Sequence, residues 1–174
     1  MDFLEMTKNR YSERRFSPRP VEQEKLDRIL EAGRVAPTAV NRQPQRFYVI
    51  RSEEARAKLR SVTRFHYNAP LTVLVCYDED VVCHMPDDRG YDDYNTGDQD
   101  CSIAATSMMF EAEEQGVHTL WVRGFDSVSV SQVFGLPKNM KPVMMLVMGY
   151  PADDAKPNNW HFVRNPIGDF VTEL

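Results

Sequence analysis

The chain has 174 residues, 42% hydrophobic and 27% charged, enough for one sizeable core in a single domain spanning 1–174. Its net charge of -5 argues against a general nucleic-acid binder, and no apolar run reaches the roughly 20 residues of a membrane span. The start, MDFLEMTKNRYSERRF, lacks the apolar segment of a secretory signal, and Cys76, Cys83 and Cys101 make no disulfide framework, so a soluble cytoplasmic protein is expected.

DFLEMTKNR reads as a short helix, followed by the basic run Arg10-Tyr11-Ser12-Glu13-Arg14-Arg15-Phe16 and stopped by Pro18 and Pro20. From Glu22 to Val35, Leu26, Ile29, Leu30 and Gly33 recur at helical spacing, with Glu22 and Glu24 where the helix dipole favours acids. Phe47 to Ile50 and Leu71 to Tyr77 read as strands, the second fully buried, with a helix from Glu53 to Thr63 between them. Asp100 to Gln115 is the strongest helix, stacking Ala104, Met108 and Ala112 and ending at Gly116. His118 to Val122 reads as a short strand, Ser129 to Phe134 as a short helix and Val143 to Met148 as a strand, before an irregular tail from Pro151. The class expected from this order is α+β, a sheet flanked by helices.

Three polar groups could carry chemistry. In R-Y-S-x-R, Arg10 to Arg14, two guanidiniums flank a hydroxyl, a set that can grip a phosphate through paired charge-assisted bonds; a solvated basic face is the plainer reading. In A-P-T-A-x-N-x-Q-P, Ala36 to Pro44, a hydroxyl and two side-chain amides sit on a backbone stiffened by two prolines. They suit a ligand with alternating donor and acceptor edges, or they cap neighbouring backbone. Arg164, before Asn165 and Pro166, reads by itself as a surface residue. Cys76, Cys83, His84 and Cys101 lack the spacing of a zinc site, and Asp87, Asp88, Asp92 and Asp93 lack the register of a calcium loop, so no metal is expected. The acidic stretch Asp78 to Asp100 holds nine carboxylates against Arg89 and reads as a solvated excursion. His66, Tyr67 and Asn68 read as a turn, or as groups that approach a substrate.

Taken in order, these motifs resemble the FMN-dependent nitroreductase family over essentially the whole chain. The match runs through R-Y-S-x-R-x-F, A-P-T-A-x-N-x-Q-P, a D-x-x-I-A-A-x-x-M helix ending in E-x-G, and T-x-W-V. It continues through Leu136-Pro137, Pro142-Val143 and Gly149-Tyr150-Pro151 to a closing R-x-P. The resemblance implies a nitroreductase-like fold with a central, mostly antiparallel sheet, forming a homodimer with two FMN sites at the subunit interface. It assigns Arg10, Tyr11, Ser12 and Arg14 to the flavin phosphate and ribityl chain, with Arg164 completing the phosphate clamp. Pro37, Thr38, Ala39, Asn41 and Gln43 would follow the ring edge and ribityl chain. Trp121, Val122, Arg123 and Gly124 would supply groups to flavin N5 and the carbonyl edge. No residue is assigned a catalytic role, because the flavin carries the chemistry.

The implied activity passes electrons from NAD(P)H through FMN to a nitroaromatic, a quinone or a similar acceptor by a ping-pong mechanism, with no nucleic acid or membrane involved. A non-catalytic flavin-binding protein and reductive dehalogenation are alternatives on the same scaffold, and an anion-binding interaction domain is a third. The chain departs from many relatives in Val117-His118, which replace a Leu-Gly pair, in Arg123 beside the expected flavin edge, and in Glu13 between the clamp arginines.

Overall fold

A computed structural model describes residues 2–84 and 94–174. Arg89 and the aspartates 87, 88, 92 and 93, weighed above as an acidic excursion and as a calcium loop, lie outside the described residues. Five α-helices are described: α1 Phe3–Asn9, α2 Gln23–Arg34, α3 Glu53–Val62, α4 Gly97–Glu114 and α5 Ser127–Phe134. The strands are β1 Gln45–Ile50, β2 Leu71–Asp78, β3 His118–Val122 and β4 Met140–Gly149. They form one sheet in the order β1-β2-β4-β3, and every pairing in it is antiparallel. The α+β class read from the order of elements and the mostly antiparallel sheet implied by the resemblance are both present. Among the described residues, no helix is long and apolar enough to cross a membrane.

The two central strands explain the layering. β2 and β4 are almost wholly buried, so alternate residues must feed two cores. Val73, Val75, Met144, Leu146 and Met148 face Leu26 and Ile29 of α2 and Ala105, Met108 and Ala112 of α4. Leu74, Cys76, Met145 and Val147 face the other way, toward Leu59 of α3 and Val130 of α5. The result is a sheet with helices on both faces.

Local chemistry sets the ends of the helices. Asp2 caps α1 by accepting from the Glu5 amide at 2.8 Å, and Ser52 caps α3 by accepting from Ala55 at 3.2 Å. Asp126 accepts from Val128 and Ser129, which starts α5 at Ser127, two residues before the Ser129 start read from the sequence. Gly135 then ends it in the left-handed region at φ 63°.

α2 and α4 meet closely at Gly33, where an added Cβ would lie 2.7 Å from Met108 Sδ and 2.8 Å from Phe47 Cζ. Gly33→Ala should therefore cost about 1–3 kcal/mol by overpacking, read as a lower urea midpoint with an unchanged slope. An unchanged midpoint would mean that the two helices can move apart freely.

The fold also joins the two ends of the chain. Glu13 N–H donates to Thr119 O of β3 at 3.1 Å, Ser17 N–H to Tyr150 O at 2.8 Å, and Ala152 N–H to Arg15 O at 2.8 Å. Phe16 and Pro151 form a β-bridge. The basic N-terminal loop is thus laid beside the segment leaving β4, and the tail beyond Pro151 returns across it.

Candidate functional site

Where the loop and the tail meet, Arg10, Tyr11, Ser12, Arg14, Asn158, Trp160, His161 and Arg164 line a cleft of about 300 Å³. Three guanidiniums converge on it, two from the N-terminal loop and one from the tail. Among the described residues, none of the three is held in an ion pair, whereas neighbouring Arg15 pairs with Asp154. Arg14 donates one bond to Ser12 O at 2.9 Å, and Arg164 donates to Val163 O at 2.7 Å and Trp160 O at 3.2 Å. A guanidinium carries five N–H donors, so both keep donors for a ligand.

Burial lowers the Arg10 pKa from its ordinary value; Glu113 partly offsets this, and the nearby positive charge of Arg164 lowers it further. An anion between the two arginines would remove that repulsion. Tyr11 forms one wall, its ring set edge-on to His118 at 5.3 Å and to His161 at 6.1 Å between centroids. Burial first, and then its hydrogen bond to Glu13, push the Tyr11 phenol upward, so it remains a donor.

None of Pro37, Thr38, Ala39, Asn41 and Gln43 lines this cleft. They form a separate, largely exposed rail with an unusual backbone: Val40, Asn41 and Gln43 have φ of 43°, 57° and 52°. A β-branched residue in the left-handed region is a true outlier, and such strain costs about 1–3 kcal/mol per residue. The surroundings hold the rail at both ends. Asp100, 2% exposed at the start of α4, accepts from the Ala39 amide at 2.9 Å and from Thr96 Oγ1 at 2.8 Å. Thr38 Oγ1 accepts from the Gln43 amide at 3.0 Å, and Arg46, which pairs with Asp78 at 3.2 Å, donates to Gln43 O at 2.9 Å. Gln43 also lines a second hollow of about 470 Å³ with Arg34, Gln45 and Phe47.

Trp121, Val122, Arg123 and Gly124 lie at the end of the edge strand β3, also outside the cleft. The Trp121 indole N–H points at the Met144 sulfur. Arg123 is exposed, with its guanidinium 5.6 Å from the Phe125 ring centroid. Gly124 packs so tightly on Phe65 that a Cβ there would come within 2.7 Å of the ring. His66 and Asn68 close the turn expected of them, His66 Nδ1 accepting from the Asn68 amide at 3.0 Å.

A single chain thus unites Arg10, Tyr11, Ser12, Arg14 and Arg164, and keeps the rail and the end of β3 apart from them. Sequence reasoning missed the tail residues Asn158, Trp160 and His161, as well as the anchoring role of Asp100. The tail signal was an exposed aromatic pair beside an amide run; the Asp100 signal was its place as first residue of the D-x-x-I-A-A motif.

The fold is an α+β sheet covered on both faces, and the cleft beside it gathers three guanidiniums, a donor set that suits an anionic ligand. The family model described as "Nitroreductase family" matches residues 7–64 and 63–150, and the chain belongs to that family. A protein of Methanothermobacter thermautotrophicus, provisionally named NADH dehydrogenase/NAD(P)H nitroreductase, is 31% identical over 88% of this chain and 80% of its own length. The crystal structure of a nitroreductase family protein from Clostridium difficile 630 superposes with a TM-score of 0.90 at 39% identity, covering 99% of this chain and 98% of that one. A protein of Exiguobacterium sibiricum, provisionally called a nitroreductase and solved in complex with FMN, superposes at 0.82 with 25% identity, covering 100% of this chain and 98% of its own.

Proposed function

We propose that the chain is an FMN-dependent NAD(P)H oxidoreductase that reduces a nitroaromatic, a quinone or a similar acceptor by a ping-pong mechanism. The observation that carries this reading is the convergence of Arg10, Ser12, Arg14 and Arg164 on one cleft. The donor set fits a phosphate monoester: planar guanidiniums and a hydroxyl around a dianion. When bound, FMN would supply the hydride and electron chemistry. The protein would fix its phosphate at the arginines and present hydrogen-bonding groups to its ring edge and ribityl chain from Pro37, Thr38, Ala39, Asn41 and Gln43. Val122 and Gly124, with Trp121 and Arg123, would border the reactive edge.

A second copy of the chain would complete the site. The rail is exposed, with Val40 at 77%, and so is the apolar run of the tail, with Trp160 at 83%, Phe162 at 73% and Ile167 at 75%. Exposed apolar surface of this extent marks an interaction surface. In a homodimer the rail of one copy could lie over the cleft of the other. Light scattering should give twice the 20.1 kDa mass of one chain; a monomer would contradict the interface reading. Initial-rate lines at varied NAD(P)H and acceptor should run parallel, and intersecting lines would exclude ping-pong turnover.

A further inference from the structure

Glu13 stands between the clamp arginines, yet its side chain is not in the solvent. It is 1% exposed, and its carboxylate is almost filled by donors. Oε1 accepts from the Arg14 amide at 2.8 Å and the Arg15 amide at 2.7 Å, and Oε2 accepts from the Tyr11 hydroxyl at 2.7 Å. His118 Nδ1 lies 3.8 Å from Oε2. No Arg or Lys pairs with it among the described residues.

A buried carboxylate without a cationic partner is costly, and one beside an anion site repels the ligand that the site is built for. Its electrostatic effect on a phosphate is therefore unfavourable, and what it contributes is geometry. The run from Arg10 to Arg15 has no helix or ladder to fix it. Glu13 draws the two following amides and the preceding phenol inward. Its own amide is fastened to Thr119 of β3. With the Glu13 side chain turned in, Ser12 and Arg14 on either side of it line the cleft.

We propose that Glu13 is the positioning residue of the phosphate clamp: through the Arg14 and Arg15 amides and the Tyr11 hydroxyl it holds Arg10, Ser12 and Arg14 where they select a phosphorylated flavin over the same flavin without its phosphate. This rests on the flavin reading above, and it concerns one end of the ligand only. Removal of Glu13 disorders the clamp and leaves the groups that meet the ring unchanged.

The test is a fluorescence titration of apoprotein with FMN and with riboflavin, which lacks the phosphate. The wild type should prefer FMN. Glu13→Ala should lower that preference about tenfold or more, with riboflavin affinity nearly unchanged, because two charge-assisted amide contacts are lost. Glu13→Gln keeps an acceptor oxygen for both amides and can meet Tyr11 through its own amide group, so it should retain most of the preference. If Glu13→Ala keeps the wild-type preference, or loses both ligands equally, the proposal is overturned. Should Glu13→Ala not fold, Glu13→Asp decides by the same ratio, since its carboxylate falls one methylene short of the Tyr11 hydroxyl. A wild type with no preference for FMN would refute the flavin reading itself and the proposal with it. A wild-type preference for FMN that survives in Glu13→Ala, or in Glu13→Asp where that variant decides, would refute the proposal alone.

Discussion

Arg14→Ala and Arg164→Ala should each purify with little or no flavin. Both guanidiniums open onto the cleft of about 300 Å³, and among the described residues neither is held in an ion pair. Each loss removes a charge-assisted contact worth about 1.5–3 kcal/mol, which is about 10-fold to 150-fold in the dissociation constant. Both side chains are largely exposed, so the variants should fold as the wild type does, and flavin content per chain reads the effect directly. Unchanged flavin in both variants would remove the phosphate from this cleft.

Asp100→Ala should unseat the rail. The three left-handed residues, Val40, Asn41 and Gln43, persist only where their surroundings hold them, and Asp100 is the anchor at the Ala39 end. Its loss leaves the Ala39 amide and the Thr96 hydroxyl without their acceptor, while the cost of burying a carboxylate is recovered. The balance is a destabilisation of about 1–3 kcal/mol, seen as a lower denaturant midpoint. Hydrogen exchange at the Ala39 amide should accelerate by more than exchange in the core strands does. Equal acceleration everywhere would mean that Asp100 serves only global stability, and an unchanged midpoint would mean that it anchors nothing.

The core was legible because β2 and β4 are continuous apolar runs, which suit strands covered on both faces. Their partners were less so. β1 begins at Gln45 and Arg46, polar residues whose strand state comes from pairing with Tyr77 and Cys76. α4 begins at Gly97 rather than Asp100, through Gly and Asp residues that are poor helix formers by themselves, with Gly97 packed against Tyr77. β4 starts at Met140 because it follows β2 down to Asp78, a length set by the partner strand.

In the candidate site, the resemblance grouped Arg10, Ser12 and Arg14 with Arg164, and the structure brings these four to one cleft. The left-handed backbone at Val40 was not, because β-branched residues avoid that region and only tertiary contacts enforce it. Neither was the burial of Glu13, which depends on Thr119 and His118 of a strand far along the chain. The tail residues Asn158, Trp160 and His161 carry no periodicity, so their place in the cleft follows only from the bridges that bring Pro151 back to Phe16.

The most direct measurement is the visible spectrum of the purified protein during anaerobic addition of NADH and then NADPH, followed by a nitroaromatic. A two-banded flavin spectrum that bleaches with one or both nucleotides and recovers with the acceptor is the predicted result. Bound flavin that stays oxidised with both nucleotides, or a colourless protein that cannot be reconstituted with FMN, would contradict it.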